Sequence, residues 1–334
     1  MEAHLAMRLA VRQPIPAASP YLGGLHDRDF LSAGDVSAAE LEVLLEAAAV
    51  LKDEWSRRRD HERPLAGRTV ALLFQKPSLR TRVSFELAVQ QLGGRSLYLA
   101  DADVGVDRRE SAADIARTLE RWVDALVART FRHDLVEGLA EAMSVPVINA
   151  LTDREHPCQA LADLLTLRER FGELRGLVVA FVGEANNVAM SLALAGSRLG
   201  MEVRIAHPPG YGPDRELMGL VRGSARRHGG TITTMHDPRT AVAGAQAVYA
   251  DTWVSMGDEA DAPQRRRAFA GYRVDAELMA AAAPEAMFLH CLPAHRGEEV
   301  TGDVIDGPQS AVFEQAENRL HVQKALLVGL LGPV

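Results

Sequence analysis

The sequence predicts an α/β protein built on two parallel sheets, each covered by helices on both faces. Three observations predict it. Short β-rich runs such as TVALLF (Thr69–Phe74) and LVVAFVG (177–183) are apolar without alternation, the pattern of strands buried on both faces. Segments of helical spacing separate these runs along the chain. The 334 residues exceed what one ordinary core encloses and suit two domains.

The expected strands are Thr69–Phe74, 96–100, Ala125–Arg129, 146–150, 177–183, 202–207, Thr231–Met235, 247–251 and 287–291. Between them the helical stretches include 80–92, 111–122, Pro157–Phe171, 187–199 and 214–228, with a last helix over 313–331. Two sheets of four to five strands fit this order better than one of nine. The divide falls at the helix opening near Pro157, which follows the polar turn TDREHP and stops at Gly172. Residues 1–20 hold three prolines and no clear period, so a flexible lead-in is expected. They contain no apolar core long enough for a signal peptide, and no run approaches a membrane span, so a cytoplasmic protein is expected.

Composition narrows the function. A net charge of -8 and low aromatic content argue against nucleic acid and anionic membranes as partners. The two cysteines, Cys158 and Cys291, form neither a CxxC pair nor a zinc site of the usual spacing, which fits a reduced cytosol.

Ligands of doubly wound sheets sit at the carboxyl ends of strands, so the segments after each strand carry the chemistry. After TVALLF, the string KPSLRTR puts Ser78, Arg80, Thr81 and Arg82 at a helix start. Free N–H groups, the helix dipole, hydroxyls and guanidinium groups there suit a dianion such as phosphate. Arg129 ends an apolar strand; it is either a ligand-binding charge or a packed stem with its head in water. His156 can hydrogen-bond a carbonyl oxygen, and Gln159, one turn on, an amide-like group; Cys158 beside them reads as a packing residue. After 177–183 the string GEANNVAMSLA lacks the second and third glycines of a dinucleotide fingerprint, which argues against a nucleotide-dependent oxidoreductase. It offers Asn186 and Asn187 instead, one of them as a helix cap. Asp251 at a strand end can hold a cationic amine, and Ser255, Met256 and Gly257 open a polar stretch expected to be a mobile loop. Cys291 ends a strand beside Pro293, in a setting expected to be electropositive, but no base partner is identifiable and it is not read as a nucleophile. By spacing alone, Arg319 is a solvated charge on the last helix.

KPSLRTR, ARTF, HPCQALADLLT, NNVAMSLA, DTWVSMG, HCLPAHRGEEV and AENRLHVQKA, in this order, resemble the ornithine carbamoyltransferases from about residue 28 to 331. The first and third strings mark carbamoyltransferases generally, while DTWVSMG and HCLPAHRGEEVT point to the ornithine enzymes. The resemblance implies two α/β domains joined by two helices, a homotrimer or a multiple of it, and no metal or organic cofactor. It divides the chain into a carbamoyl phosphate-binding domain (1–153 with 312–334) and an ornithine-binding domain (154–311). Carbamoyl phosphate would be held by Ser78, Leu79, Arg80, Thr81, Arg129, His156, Gln159, Cys291, Leu292 and Arg319. Ornithine would be held by Asn187, Asp251, Ser255 and Met256, with Arg129, His156, Asp251 and Cys291 nearest the chemistry. The product would be L-citrulline, in arginine biosynthesis.

Three departures from the family pattern stand out. Leu79 replaces a threonine of S-T-R-T-R, which removes one hydroxyl but keeps the amide. Gly105 stands where a glutamine reaches a neighbouring subunit's phosphate, with Arg108 or Arg109 as substitutes. GEANN replaces G-D-G-N-N. The nearest rival is a carbamoyltransferase acting on an N-acylated ornithine or putrescine. Aspartate would call for extra cations where this chain has Asp251 and Ser255.

Overall fold

The structure is a computed structural model that describes residues 22–60, 62–255 and 259–333. The lead-in expected over 1–20 lies outside the described residues. Nine strands form two wholly parallel sheets: β1 (Thr69–Phe74), β2 (Arg95–Ala100), β3 (Ala125–Arg129) and β4 (Val147–Leu151) in the order β2-β1-β3-β4, and β5 (Val178–Val182), β6 (Glu202–Ala206), β7 (Thr231–Met235), β8 (Ala247–Ala250) and β9 (Met287–Leu289) in the order β7-β6-β5-β8-β9. The two-sheet α/β expectation holds. The main shift in bounds is at β9, which stops two residues short of Cys291 and leaves that residue in a turn.

In each sheet the chain winds outward from a central pair, β1 with β3 and β5 with β8. A crevice opens at the carboxyl end of such a switch point. The strings after β1, β3, β5 and β8 therefore converge on one region.

Six helices frame and brace this region: α1 (Ala38–Arg58), α2 (Leu79–Gln91), α3 (Pro157–Phe171), α4 (Asn187–Arg198), α5 (Arg215–His228) and α6 (Val312–Leu331). Helices α1 and His133–Ala142 are absent from the expected elements. The start of α1 is nonetheless spelled in the sequence, because Ser37 and Glu40 form a reciprocal capping box.

Helices α3 and α6 connect the sheets and pack on each other. Pro157 to Leu167 of α3 is buried on every side, the pattern of a helix inside a core rather than on it. Several of their polar side chains pair across the helix contact. Gln315 donates to Asp163 at 2.6 Å, and Asn318 donates to Thr166 at 3.0 Å and to Glu169 at 2.8 Å. Lys52 of α1 closes the set on Asn318 at 2.7 Å. Burial pushes the Asp163 carboxyl up to about 7.

Lys324 of α6 is fully buried, with its ammonium 4.6 Å from the Trp55 ring. Burial lowers it from 10.5 to about 7. The folded state thus binds fewer protons than the unfolded chain between about pH 7 and 10.5, and stability rises with pH across that window. Lys324→Met removes this dependence. Its unfolding free energy relative to the parent, from urea denaturation, is expected to fall steadily from pH 7 to pH 9.5, by at most about 1.4 kcal/mol per pH unit. An unchanged difference across that range would refute the buried-ammonium account.

Candidate active site

A cleft of about 970 Å³ lies at the carboxyl ends of both sheets. Its lining includes Ser78, Leu79, Arg80, Thr81, Arg129, His156, Arg319, Asn187, Asp251, Ser255, Cys291 and Leu292. Of the expected site residues, only Gln159 and Met256 are missing from that lining. Gln159 is buried just behind it, and Met256 lies outside the described residues.

One side of the cleft is cationic. Ser78 caps α2, accepting the Thr81 amide at 3.4 Å, which leaves the Leu79 and Arg80 amides at the helix end without intrahelical partners. The Leu79 side chain is 75% exposed, so the residue brings an amide to the site and no hydroxyl. Arg129 ends β3 where β4 carries an extra residue opposite the Ala128–Arg129 step, a local irregularity that re-aims the strand end. Burial and the charges of Arg319 and Arg80 lower the Arg129 guanidinium to about 10. Burial likewise lowers Arg80, with Cys291 and Asp251 opposing the shift.

Arg319 corrects the expectation from spacing. It is 2% exposed, not solvated. Its guanidinium donates to Thr81 Oγ1 at 2.8 Å, to Gln159 Oε1 and to His156 Nε2 at 3.3 Å. Spacing could not find this, because the packing of α1, α2 and α3 on α6 buries polar positions such as Gln315, Asn318 and Arg319. Buried Nε groups of Arg129 and Arg319 have no partner in the subunit among the described residues. Three guanidinium groups that raise one another's cost, around orphaned donors and a helix N-terminus, form a site for a dianion.

His156 sits at the start of α3. Burial and the three arginines hold its pKa well below the ordinary value, so the imidazole is neutral. An arginine can only donate, so Nε2 accepts and the proton lies on Nδ1. That Nδ1 is buried with no partner among the described residues, a donor left for a ligand's oxygen. Gln159 differs from expectation: its amide donates to Asp163 at 2.8 Å and its carbonyl accepts from Arg319. It therefore orients the arginine. Cys158 is fully buried, its thiol raised to about 12 by burial, as a packing residue should be.

The opposite side is acidic and polar. Asp251 accepts from the Asn186 amide at 2.7 Å, the Thr252 amide at 2.8 Å and the Cys291 thiol at 3.1 Å. Asn186 is the cap of α4, while Asn187 donates to the Thr152 carbonyl at 2.6 Å, so each asparagine has a separate task. The electropositive setting expected for Cys291 is corrected. Burial and the adjacent Asp251 carboxylate push its thiol well above the ordinary value, so it stays protonated.

Leu292 adopts φ +59, a strained conformation for a branched residue. The turn is held because its N–H donates to His290 Nδ1 at 2.9 Å, and the other ring nitrogen donates to buried Glu299 at 3.2 Å. Burial opposes ionisation of Glu299, but the His290 and His295 hydrogen bonds outweigh it and hold the carboxyl below its usual range. The donor atoms of Asp251, His290 and Cys291 lie within 4.8 Å of one another. Both ring nitrogens of His290 are already engaged, so this group does not make a vacant metal site.

Several contributors escape a reading of single motifs. Glu184 in GEANN pairs with Arg265, which also donates to the Trp253 carbonyl at 2.5 Å and ties the segment after Ser255 to the β5 turn. Gly183, at φ +145, keeps the first glycine of that turn where a side chain is disfavoured. Arg154 and Glu216 pair at 2.9 Å across the cleft from the β4–α3 turn to α5. Away from the cleft, Gly105 ends a short helix at φ +68, and Arg108 is committed to Asp101 at 2.6 Å.

Comparisons with known proteins agree with this geometry. Residues 28–169 match the carbamoyl-P binding domain of the aspartate/ornithine carbamoyltransferases, and residues 175–330 match their Asp/Orn binding domain. The chain is 54% identical over 312 residues to an ornithine carbamoyltransferase of Symbiobacterium thermophilum, covering 92% of this chain and 99% of that one. It is 49% identical over 310 residues to the anabolic ornithine carbamoyltransferase of Pyrococcus furiosus, covering 93% and 98%. A solved ornithine carbamoyltransferase from Pyrococcus furiosus superposes with a TM-score of 0.90 at 49% identity, covering 93% and 99%. One from Thermus thermophilus gives 0.81 at 46%, covering 91% and 98%.

Proposed function

The chain belongs to the aspartate/ornithine carbamoyltransferase family, and we propose that it transfers the carbamoyl group of carbamoyl phosphate to the side-chain amine of L-ornithine, giving L-citrulline and phosphate. Carbamoyl phosphate is assigned to the domain proposed over 1–153 with 312–334, and ornithine to the domain proposed over 154–311. The observation that carries this reading is the pairing, in one cleft, of a three-arginine anion site with a buried carboxylate. The match to ornithine enzymes over 92–93% of the chain, one of them anabolic, supports a place in arginine biosynthesis.

The phosphate is held by Arg80, Arg319, Ser78 and the Leu79 amide, with Gln159 fixing Arg319. The neutral side-chain amine of ornithine attacks the carbonyl carbon. Charge grows on the carbonyl oxygen, where the Nδ1–H of His156, the Thr81 hydroxyl and Arg129 stabilise it. Thr81 is able to donate because its oxygen already accepts from Arg319. The carbon–oxygen bond to phosphate then breaks, the attacking nitrogen gives its extra proton to the departing phosphate, and the hydrogen phosphate dianion leaves into the arginines. Asp251 holds the cationic α-amine, while Asn187, Ser255 and Met256 orient the amino-acid end. Cys291 and Leu292 floor the space between the two substrates. Much of the acceleration comes from positioning.

Cytoplasmic location fits this chemistry, and no helix among the described residues is long and apolar enough to cross a membrane. A homotrimer or its multiple is supported by an exposed apolar row, Leu79, Val83 and Leu87 on α2 with Leu97 on the edge strand β2. Product analysis with carbamoyl phosphate and a panel of ornithine, acetylornithine, putrescine and aspartate tests the acceptor. Citrulline is expected to dominate, with ornithine preferred by at least about 10²-fold in kcat/KM. A carbamoylated acetylornithine or putrescine as the main product would overturn the assignment.

A further inference from the structure

The turn 152–156, which delivers His156, is stitched to α4 at two points one helical turn apart. Asn187 donates to the Thr152 carbonyl at 2.6 Å, and Ser191 Oγ accepts the backbone N–H of His156 at 2.9 Å. An N–H only donates, so the Ser191 proton must go elsewhere. It goes to Glu155 Oε2 at 3.0 Å. The same oxygen accepts the Ala33 amide at 3.0 Å, and Oε1 accepts the Ser32 hydroxyl at 2.5 Å. Glu155 is 2% exposed and Ser191 fully buried, so no solvent molecule substitutes for these bonds. The Ala33 N–H can only donate, so Oε2 accepts, and the Ser191 hydroxyl, which already accepts from the His156 N–H, turns its proton to that oxygen.

We propose that Glu155 is a positioning residue for carbamoyl transfer, which through Ser191 holds the His156 backbone so that the imidazole meets the reacting carbonyl. The proposal rests on the role assigned to His156 above. Its physical content is a rigid three-way junction. The 32–33 segment before α1, the β4–α3 turn and α4 share one buried carboxylate, and the catalytic-side ring hangs from the next residue. Small displacements of such a group are costly, because about 1 Å of misplacement can lower a rate by about 10²-fold. A residue that only filled space would change stability and leave the turnover of folded enzyme intact.

The test is steady-state kinetics on full-length Glu155→Ala, Glu155→Gln, Ser191→Ala and the double variant Glu155→Ala/Ser191→Ala, with His156→Ala alongside. Glu155→Ala and Ser191→Ala are each expected to lower kcat by about tenfold or more, with KM for ornithine changed less than about threefold. Glu155→Gln keeps an acceptor toward Ala33 and Ser191 and turns its NH₂ to Ser32, so it should recover to within about threefold of the parent. The double variant should be no slower than the worse single one, because both act through one chain of bonds. Parental kcat in folded Glu155→Ala or Ser191→Ala overturns the proposal, as does Glu155→Gln no faster than Glu155→Ala. Should Glu155→Ala not fold, Ser191→Ala decides alone, since it leaves the Ser32 and Ala33 bonds in place. Parental turnover in His156→Ala would instead sink the role given to His156.

Discussion

Arg129→Ala is expected to lower citrulline formation by about 10²–10³-fold, the usual cost of losing one donor to a developing oxyanion, while the protein stays folded. Both halves follow from one environment. The guanidinium is held near Arg319 and Arg80, with burial and these like charges pulling it to about 10. Its Nε has no hydrogen-bond partner among the described residues. A group placed at such cost is kept for a ligand, and its removal relieves repulsion within the empty site. The melting temperature should therefore hold or rise as activity collapses. Arg129→Lys should restore little, because a point charge on a flexible stem does not replace a planar donor set. Citrulline assays beside thermal melts decide the matter: near-normal turnover in Arg129→Ala would remove this residue from the mechanism.

Asp251→Asn should have the next largest effect, lowering kcat/KM for ornithine by about 10²–10³-fold, the scale of a lost buried charge partner. The amide keeps the shape and loses the charge that faces the α-amine. Binding of carbamoyl phosphate alone should change little, since the three arginines and the α2 N-terminus are untouched. A second readout separates this from misfolding. The Cys291 thiol is raised by burial and then by the Asp251 carboxylate. Removing that charge lowers the thiol's pKa, and alkylation at pH 8 should accelerate. Parental ornithine kinetics, or an unaltered alkylation rate, would show that Asp251 does not dominate this end of the cleft.

How far the sequence alone could see differs from residue to residue. The anion site was legible because KPSLRTR, a strand end and a helix start, carries its function locally: cap, free amides and guanidinium are neighbours in sequence and in space. The two-sheet architecture was legible for a similar reason, since unbroken apolar strands alternating with helices can be covered only in a few ways. Asp251 at the end of β8 follows from the rule that strand ends face the crevice.

Arg319 was not legible from spacing. Helical periodicity says which residues share a face, not that α1, α2 and α3 pack on α6 and bury the face that carries Gln315, Asn318 and Arg319. Family resemblance supplied its role; only the packing explains it. Cys291 failed in the opposite direction. Its position at a strand end suggested an electropositive setting, but the carboxylate 3.1 Å away comes from a residue 40 positions earlier. Glu155 was visible only as a letter in a polar turn. Its partners, Ser32, Ala33 and Ser191, arrive from elements more than 30 residues away on either side.

The amino-acid sequence by itself determined the strands, their parallel pairing and the short strings that gather donors at strand ends, because those depend on local periodicity and on neighbours along the chain. The tertiary structure decided which of these groups are charged, neutral or spoken for. That the His156 ring is neutral with its proton on Nδ1, that the Cys291 thiol stays protonated, and that Gln159 serves Arg319 all follow from burial and from partners distant in sequence. Desolvation and long-range hydrogen bonding have no signature in a linear pattern, and they set the chemistry of this cleft.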